Sequence, residues 1–199
     1  MKTHTQPYKT VNLQQGSIAW LAWRHQGIGA SEAPTVMGEN PWQSPVDLLR
    51  AKRGPAPEPD THDRISAAMQ FGTDMEPVAR RAYERATGHK VTPACLQSSR
   101  YTWLRASLDG ISADGRRAVE IKCGKGVYHH TARTRTVPRY YYGQLQHIMA
   151  VTRLESVDFW AWLPDQTPIG LTVPRDPDYI GAMLDREHDF WQQVRLSTH

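Results

Sequence analysis

The sequence predicts an α/β or α+β layer fold, a central mixed β-sheet flanked by helices. Three observations carry that prediction. Apolar residues recur at helical spacing as far as Gly88, alternate from Lys90 to Lys122, and then switch between the two periods. Asp114-Gly115 separates two strand-like runs, a strong hairpin signal. The length, 199 residues, suits one domain. Residues 1–15 read as a loose arm and 176–199 as a C-terminal helix.

The elements follow in order. Ser17 is placed to cap a helix running to Arg24, which Gly27 and Gly29 break. Ser31, with Pro34 in the first turn, opens a second helix; Ser44-Pro45 opens a third, ended by Gly54. Residues 54–59 form a loop. Met69, Gly72, Met75, Glu76, Ala79, Ala82 and Tyr83 predict a long helix over 65–87, stopped by Gly88, with Pro77 starting a new helix or kinking this one. Strands are expected at 90–92, 101–108, 111–113 and 118–122. A helix over 140–151, strands at 157–163 and 169–173, and a helix over 178–196 complete the chain.

Composition narrows the function. Lys and Arg number 24 against 20 Asp and Glu, a formal charge of +4, and 39% of residues are hydrophobic. Gly and Pro, 14 each, exclude collagen-like and low-complexity chains. No apolar run nears the ~18 residues of a membrane span, and Met1–Thr10 lacks the apolar core of a secretory signal. Two cysteines build neither a disulfide framework nor a four-Cys metal site, so a reducing cytoplasm is the expected compartment. The mild basic charge permits a polyanionic partner. Seven Trp and eight Tyr suit a DNA groove or a protein interface as well as a core.

The densest constellation is Leu108-Asp109-Gly110 followed by Glu120-Ile121-Lys122. A hairpin brings Asp109 beside the strand of Glu120, and Glu120 and Lys122, two apart, share a face. Val119 and Ile121 point the other way, into the core. Two neighbouring carboxylates suit a hard divalent cation such as Mg²⁺, and an adjacent ammonium suits a water nucleophile or charge developing on phosphorus. A solvated hairpin with a surface Glu–Lys pair fits the same pattern. Arg133, Arg135 and Arg139, beside Lys125, His129 and His130, form a basic stretch that suits phosphate contacts or a solvated surface.

Asp109, Glu120 and Lys122 resemble the D-(x)n-E-x-K signature of the PD-(D/E)xK nuclease superfamily. The chain around them resembles its lambda-exonuclease-like (YqaJ-type) alkaline exonucleases. The likeness runs in order through Trp20-x-x-x-Arg24, Gly29-Ala30-Ser31-Glu32, Phe71-Gly72-x-x-x-Glu76, Ser107-Leu108-Asp109-Gly110 and Tyr141-x-x-Gln144-x-Gln146-x-x-Met149. Leu108 stands where the family has Pro. The resemblance implies a restriction-endonuclease-like core in a single nuclease domain over 1–199. It implies two Mg²⁺ ions, with Mn²⁺ as substitute, held by Asp109, Glu120, the Ile121 carbonyl and Glu76. Lys122 would orient the attacking water. Gln144 would hold that water or a phosphate oxygen. Arg24 and Ser31 would receive the terminal 5′-phosphate, which suits the forked guanidinium and a hydroxyl at a helix start. Tyr141 would lie near the centre, or in the core, and Met69 near the entering duplex end as a wedge, or in the core.

The function implied is a Mg²⁺-dependent 5′→3′ exonuclease of linear double-stranded DNA in a bacterial or phage-infected cell. Its 3′ single-stranded tails would serve recombination by a single-strand annealing protein, and its homotrimer would ring the DNA. The alternatives are an endonuclease or single-strand-specific nuclease of the same fold, or a non-catalytic DNA-binding module. Intact Asp109, Glu120 and Lys122 favour catalysis, and Arg24 with Ser31 favours end recognition.

Overall fold

The computed structural model describes residues 6–57 and 67–196, with backbone alone at 67–69. The elements run β1 (Tyr8–Val11), α1 (Ile18–His25), β2 (Ile28–Gly29), a 3-10 turn (Ala30–Glu32), α2 (Ala33–Val36), α3 (Pro45–Arg53) and α4 (Ala67–Thr87). Then come β3 (Thr92–Ser98), β4 (Leu104–Ile111), β5 (Ala118–Lys122), α5 (Lys125–Thr134), α6 (Arg139–Thr152), β6 (Ser156–Ala161), β7 (Ile169–Pro174) and α7 (Pro177–Arg195). The expected mixed α+β architecture is present. The sheet order is β1-β3-β4-β5-β6-β7, with β2 also on β4. β5 and β6, and β2 and β4, are parallel, and the other pairs are antiparallel.

Helix α6 covers one face. Leu145, Ile148 and Met149 pack there with Leu108 and Phe159, all at most 1% exposed, and α7 adds Ile180 and Met183. Helix α4 covers the other face, where Ala79 and Tyr83 meet Val119, Ile121 and Trp160. The alternation of β5 is therefore used on both sides, Val119 and Ile121 towards α4 and Glu120 towards α6.

Local chemistry explains the boundaries. Ser17 accepts from the Trp20 amide and caps α1; Ser44 accepts from the Asp47 amide and caps α3 ahead of Pro45. Ser31 differs from expectation: it sits within the 3-10 turn and spends its hydroxyl on Arg24. Helix α4 runs through Pro77 as one element, and Gly88 ends it with φ +74°. The expected 1–15 arm contains β1, which pairs with β3 from Tyr8↔Ser98 to Val11↔Cys95. Strand β3 begins at Thr92, where the expected 90–92 strand ends, and the expected strands at 101–108 and 111–113 are one strand, β4. The basic stretch after Lys122 is split: Lys125 to Arg133 lie in α5, Arg135 caps it, and Arg139 opens α6.

Beta-strands 4 and 5 form a short fork. They pair at Gly110↔Val119 and Ile111↔Ala118. Beyond that point β4 pairs on this edge with β2, at Leu104 and Arg105. Asp109 and Glu120 stand at the mouth of the fork. Gly110 is required here: a Cβ would lie 2.7 Å from a Val91 methyl and 2.9 Å from a Val119 methyl.

Candidate active site

The amide of Ile121 donates to Asp109 Oδ2 at 2.7 Å, so a side-chain carboxylate takes the place of a strand carbonyl. That bond fixes Asp109 beside β5. Glu120, 2% exposed, is held twice at one oxygen: Lys122 Nζ lies 2.7 Å and Gln144 Nε2 2.6 Å from Oε1. Its Oε2 is buried without a hydrogen-bond partner. The near-complete burial of Glu120 removes the surface-hairpin reading. An ionised oxygen left bare in a closed site is costly unless something positive meets it.

The third acid comes from α4. Glu76 pairs with Arg80 one turn on, and Arg80 Nε donates to the Asp109 carbonyl at 2.6 Å. Sequence reading missed Arg80, although its i+4 spacing from Glu76 was a usable signal. Burial, then Glu120 and Glu76, raise Asp109 well above the usual carboxylate value. Burial also raises Glu76; Arg80 opposes this and Glu120 adds to it. Burial pulls Lys122 down, but Glu120 and Asp109 outweigh it and hold the ammonium above the usual lysine range. Cys123 is pushed up to about 12 by burial, Asp109 and Glu76, which leaves an inert thiol.

These donors suit a hard divalent cation. The bare Glu120 Oε2 and the repulsion among three carboxylates mark a place for positive charge, and all the side-chain donors are oxygen. Among the described residues no three His, Cys, Asp or Glu side chains stand as a ready-made coordination cluster. Glu76 is turned to Arg80 and one Asp109 oxygen to Ile121. A cation would draw chiefly on Glu120 Oε2 and the second Asp109 oxygen.

Helix α6 sets the opposite wall. Tyr141 places its ring 4.5 Å from Lys122 Nζ, and Gln144 reaches Glu120. Gly143 lets α6 approach α2: a Cβ there would lie 2.7 Å from the Tyr179 hydroxyl and 3.3 Å from the Pro34 nitrogen. Gln144 thus gives one amide hydrogen to Glu120.

Arg24 and Ser31 are brought together. Arg24 Nη2 donates to Ser31 Oγ at 2.7 Å, and its guanidinium lies 4.5 Å from the Trp20 ring centre. They line a cavity of about 330 Å³ with Gln43, Glu32 and Lys52. Lys52 neutralises Glu32 at 2.8 Å. The basic stretch divides. Arg133 and Arg135 are exposed at the end of α5, whereas Arg139 pairs with Glu39 at 2.7 Å. The side chain of Met69 lies outside the described residues, as does part of the 54–59 loop.

Known proteins resemble this chain along most of its length. Residues 19–155 match the model of the YqaJ-like viral recombinase domain family. The uncharacterized protein YqaJ of Bacillus subtilis (strain 168) is 26% identical over 189 residues, which span 93% of this chain and 58% of that protein. The chain thus spans little more than half of that relative. The alkaline exonuclease LHK-Exo of Laribacter hongkongensis matches with TM-score 0.79 at 25% identity, over 90% of this chain and 93% of that one. The same enzyme in complex with dAMP gives 0.77 at 25% identity and the same coverage. A phage-related exonuclease of Haemophilus somnus 129PT shares the fold, with TM-score 0.64 at 11% identity, over 85% of this chain and 94% of that one.

Proposed function

The chain belongs to the YqaJ-like viral recombinase domain family, and from that premise we propose that it is a Mg²⁺-dependent 5′→3′ exonuclease of linear double-stranded DNA. Its 3′ single-stranded tails would feed recombination by single-strand annealing. The observation that carries this reading is the buried, unpartnered Glu120 Oε2 beside Asp109 and Lys122, in a fold like that of an alkaline exonuclease.

Mg²⁺, or Mn²⁺ in its place, would be held by Asp109, Glu120 and the Ile121 carbonyl, with Glu76 joining once released by Arg80; when bound, it supplies Lewis acidity to the phosphodiester and acidity to a water. Two ions are expected. Lys122, fixed by Glu120 and the Tyr141 ring, carries positive charge to the reacting phosphate and the incoming water. Gln144 holds Glu120 in the orientation that leaves Oε2 bare. Arg24 and Ser31 take the 5′-phosphate and set how far the strand enters. Arg133 and Arg135 meet backbone phosphates; Arg139 is partly neutralised by Glu39.

The annealing protein, the homotrimeric ring and residence in the cytoplasm of a bacterial or phage-infected cell belong to the same proposal. Among the described residues no helix is long and apolar enough to cross a membrane. The test compares wild type with Glu120→Gln on 5′-phosphorylated duplex. Mononucleotide release by the wild type, lost in the variant at unchanged DNA affinity, supports the proposal. Equal release by both overturns it.

A further inference from the structure

Trp42 stands out among the large side chains. It is 73% exposed, yet its loop is tightly pinned. The Trp42 amide donates to Asn40 Oδ1 at 2.9 Å, and Asn40 Nδ2 donates to Thr35 Oγ1 at 2.8 Å. Glu39 takes Arg139 at 2.7 Å and the Tyr179 hydroxyl at 2.8 Å. The chain thus fixes the backbone and holds a large apolar ring in water.

The ring is not isolated. Trp42 meets Tyr140 edge-on at 4.7 Å between centres, and Tyr140 meets Tyr141 at 4.6 Å. Tyr141 in turn carries Lys122 Nζ at 4.5 Å. Three aromatic rings therefore lead from the candidate catalytic ammonium to the surface. On the other side, Gln43 lines the Arg24–Ser31 cavity. Trp42 lies on the boundary between the two halves of the site.

We propose that Trp42 is a stacking platform for a nucleobase of the DNA strand that runs between the Arg24–Ser31 cavity and the Glu120 carboxylate. This rests on the nuclease reading and deepens it. An exposed aromatic face along a strand path that runs from one cation to another, here from Arg24 to Lys122, is how single-stranded DNA is held without sequence preference. The pinned loop means that little ordering is lost on binding. With the 5′-phosphate in the Arg24–Ser31 cavity and mononucleotides as product, the base held is that of the 5′-terminal nucleotide or of its immediate neighbour.

The test places 2-aminopurine at each of the first four positions of a 5′-phosphorylated strand in duplex DNA. Binding is followed with Glu120→Gln, with Glu120→Gln/Trp42→Ala and with Glu120→Gln/Trp42→Phe. One position is expected to be quenched on binding, to lose that quenching with Ala and to keep it with Phe. Affinity should weaken about tenfold with Ala, within the range for one stacked base. In the active background Trp42→Ala should raise KM and leave kcat nearly unchanged. An unchanged quenching profile and KM would overturn the proposal. So would a change of oligomeric state in Trp42→Ala without a change in quenching, which would assign the ring to a second copy of the chain. Failure of the nuclease reading itself shows separately, as absence of cleavage by the wild type.

Discussion

Gln144 donates its amide to Glu120 at 2.6 Å, and so occupies the carboxylate oxygen that Lys122 also takes. The other oxygen is thereby left bare. Gln144 thus acts through Glu120. Gln144→Ala should lower activity and metal affinity by about 10–100-fold, as expected when an orienting partner of a ligand is removed. Glu120→Gln should cost more than ~10²-fold. Steady-state rates against Mg²⁺ concentration separate the two: added Mg²⁺ should partly rescue Gln144→Ala and leave Glu120→Gln inactive.

The raised carboxyls set the pH response. Burial, Glu120 and Glu76 lift Asp109, and burial leads the rise at Glu76. A carboxyl raised in the folded state contributes stability that is full below its ordinary value and is lost as pH rises through the raised one. The metal-free protein should therefore become less stable from acid towards neutral pH on this account. A divalent ion needs the ionised forms, so its affinity and the activity should climb with pH, into the alkaline range. Asp109→Asn should raise the Tm of metal-free protein at neutral pH by a few degrees and abolish hydrolysis. Melting curves against pH, with EDTA and with Mg²⁺, check the sign: stabilisation by Mg²⁺ that grows as pH falls would contradict it.

The proposed end recognition rests on Arg24 and Ser31, whose Nη2 and Oγ lie 2.7 Å apart. A charge-assisted hydrogen bond of about 1.5–3 kcal/mol corresponds to a preference of roughly 10–100-fold. The wild type should prefer 5′-phosphoryl over 5′-hydroxyl ends on that scale, and Arg24→Ala should lose most of the preference. Paired substrates differing at that one group provide the measurement. Equal rates for both ends by the wild type would remove the pocket from the mechanism.

Stability depends on a pair away from the chemistry. His147 and Glu187 are both fully buried, with Nδ1 2.7 Å from Oε1, and His147 Nε2 lies 2.9 Å from the Arg105 carbonyl. Both ring nitrogens have a partner within hydrogen-bond reach. The pair ties α6 to α7 and β4. Glu187→Ala strips a buried hydrogen-bonding group of its partner and should cost about 1–3 kcal/mol in urea unfolding, with the Mg²⁺ dependence of the surviving folded protein unchanged.

The fold class and the core of the site were legible because each rests on local pattern. Alternation in Ala118–Lys122 put Glu120 and Lys122 on one face, and the Asp114-Gly115 turn, with Gly115 at φ +68°, brought Asp109 back beside them. Strand β1 was hidden because Tyr8-Lys9-Thr10-Val11 is a short, polar edge strand. Its partner β3 carries Pro93 at a register shift between Thr92 and Ala94, which obscured the period. Strand β4 read as two because Gly110 interrupts the pattern, yet Gly110 is where the fold needs no side chain. Contacts far apart in sequence gave no local signal. Gln144 meets Glu120 across 24 residues, and Arg139 meets Glu39 across 100.

The most direct measurement uses linear duplex DNA labelled at the 5′ or the 3′ end, incubated with Mg²⁺ or with EDTA. Early release of the 5′ label as a mononucleotide is expected with Mg²⁺ only, while the 3′ label stays on long single strands. Release from the 3′ end first, internal cuts, or release in EDTA would contradict it.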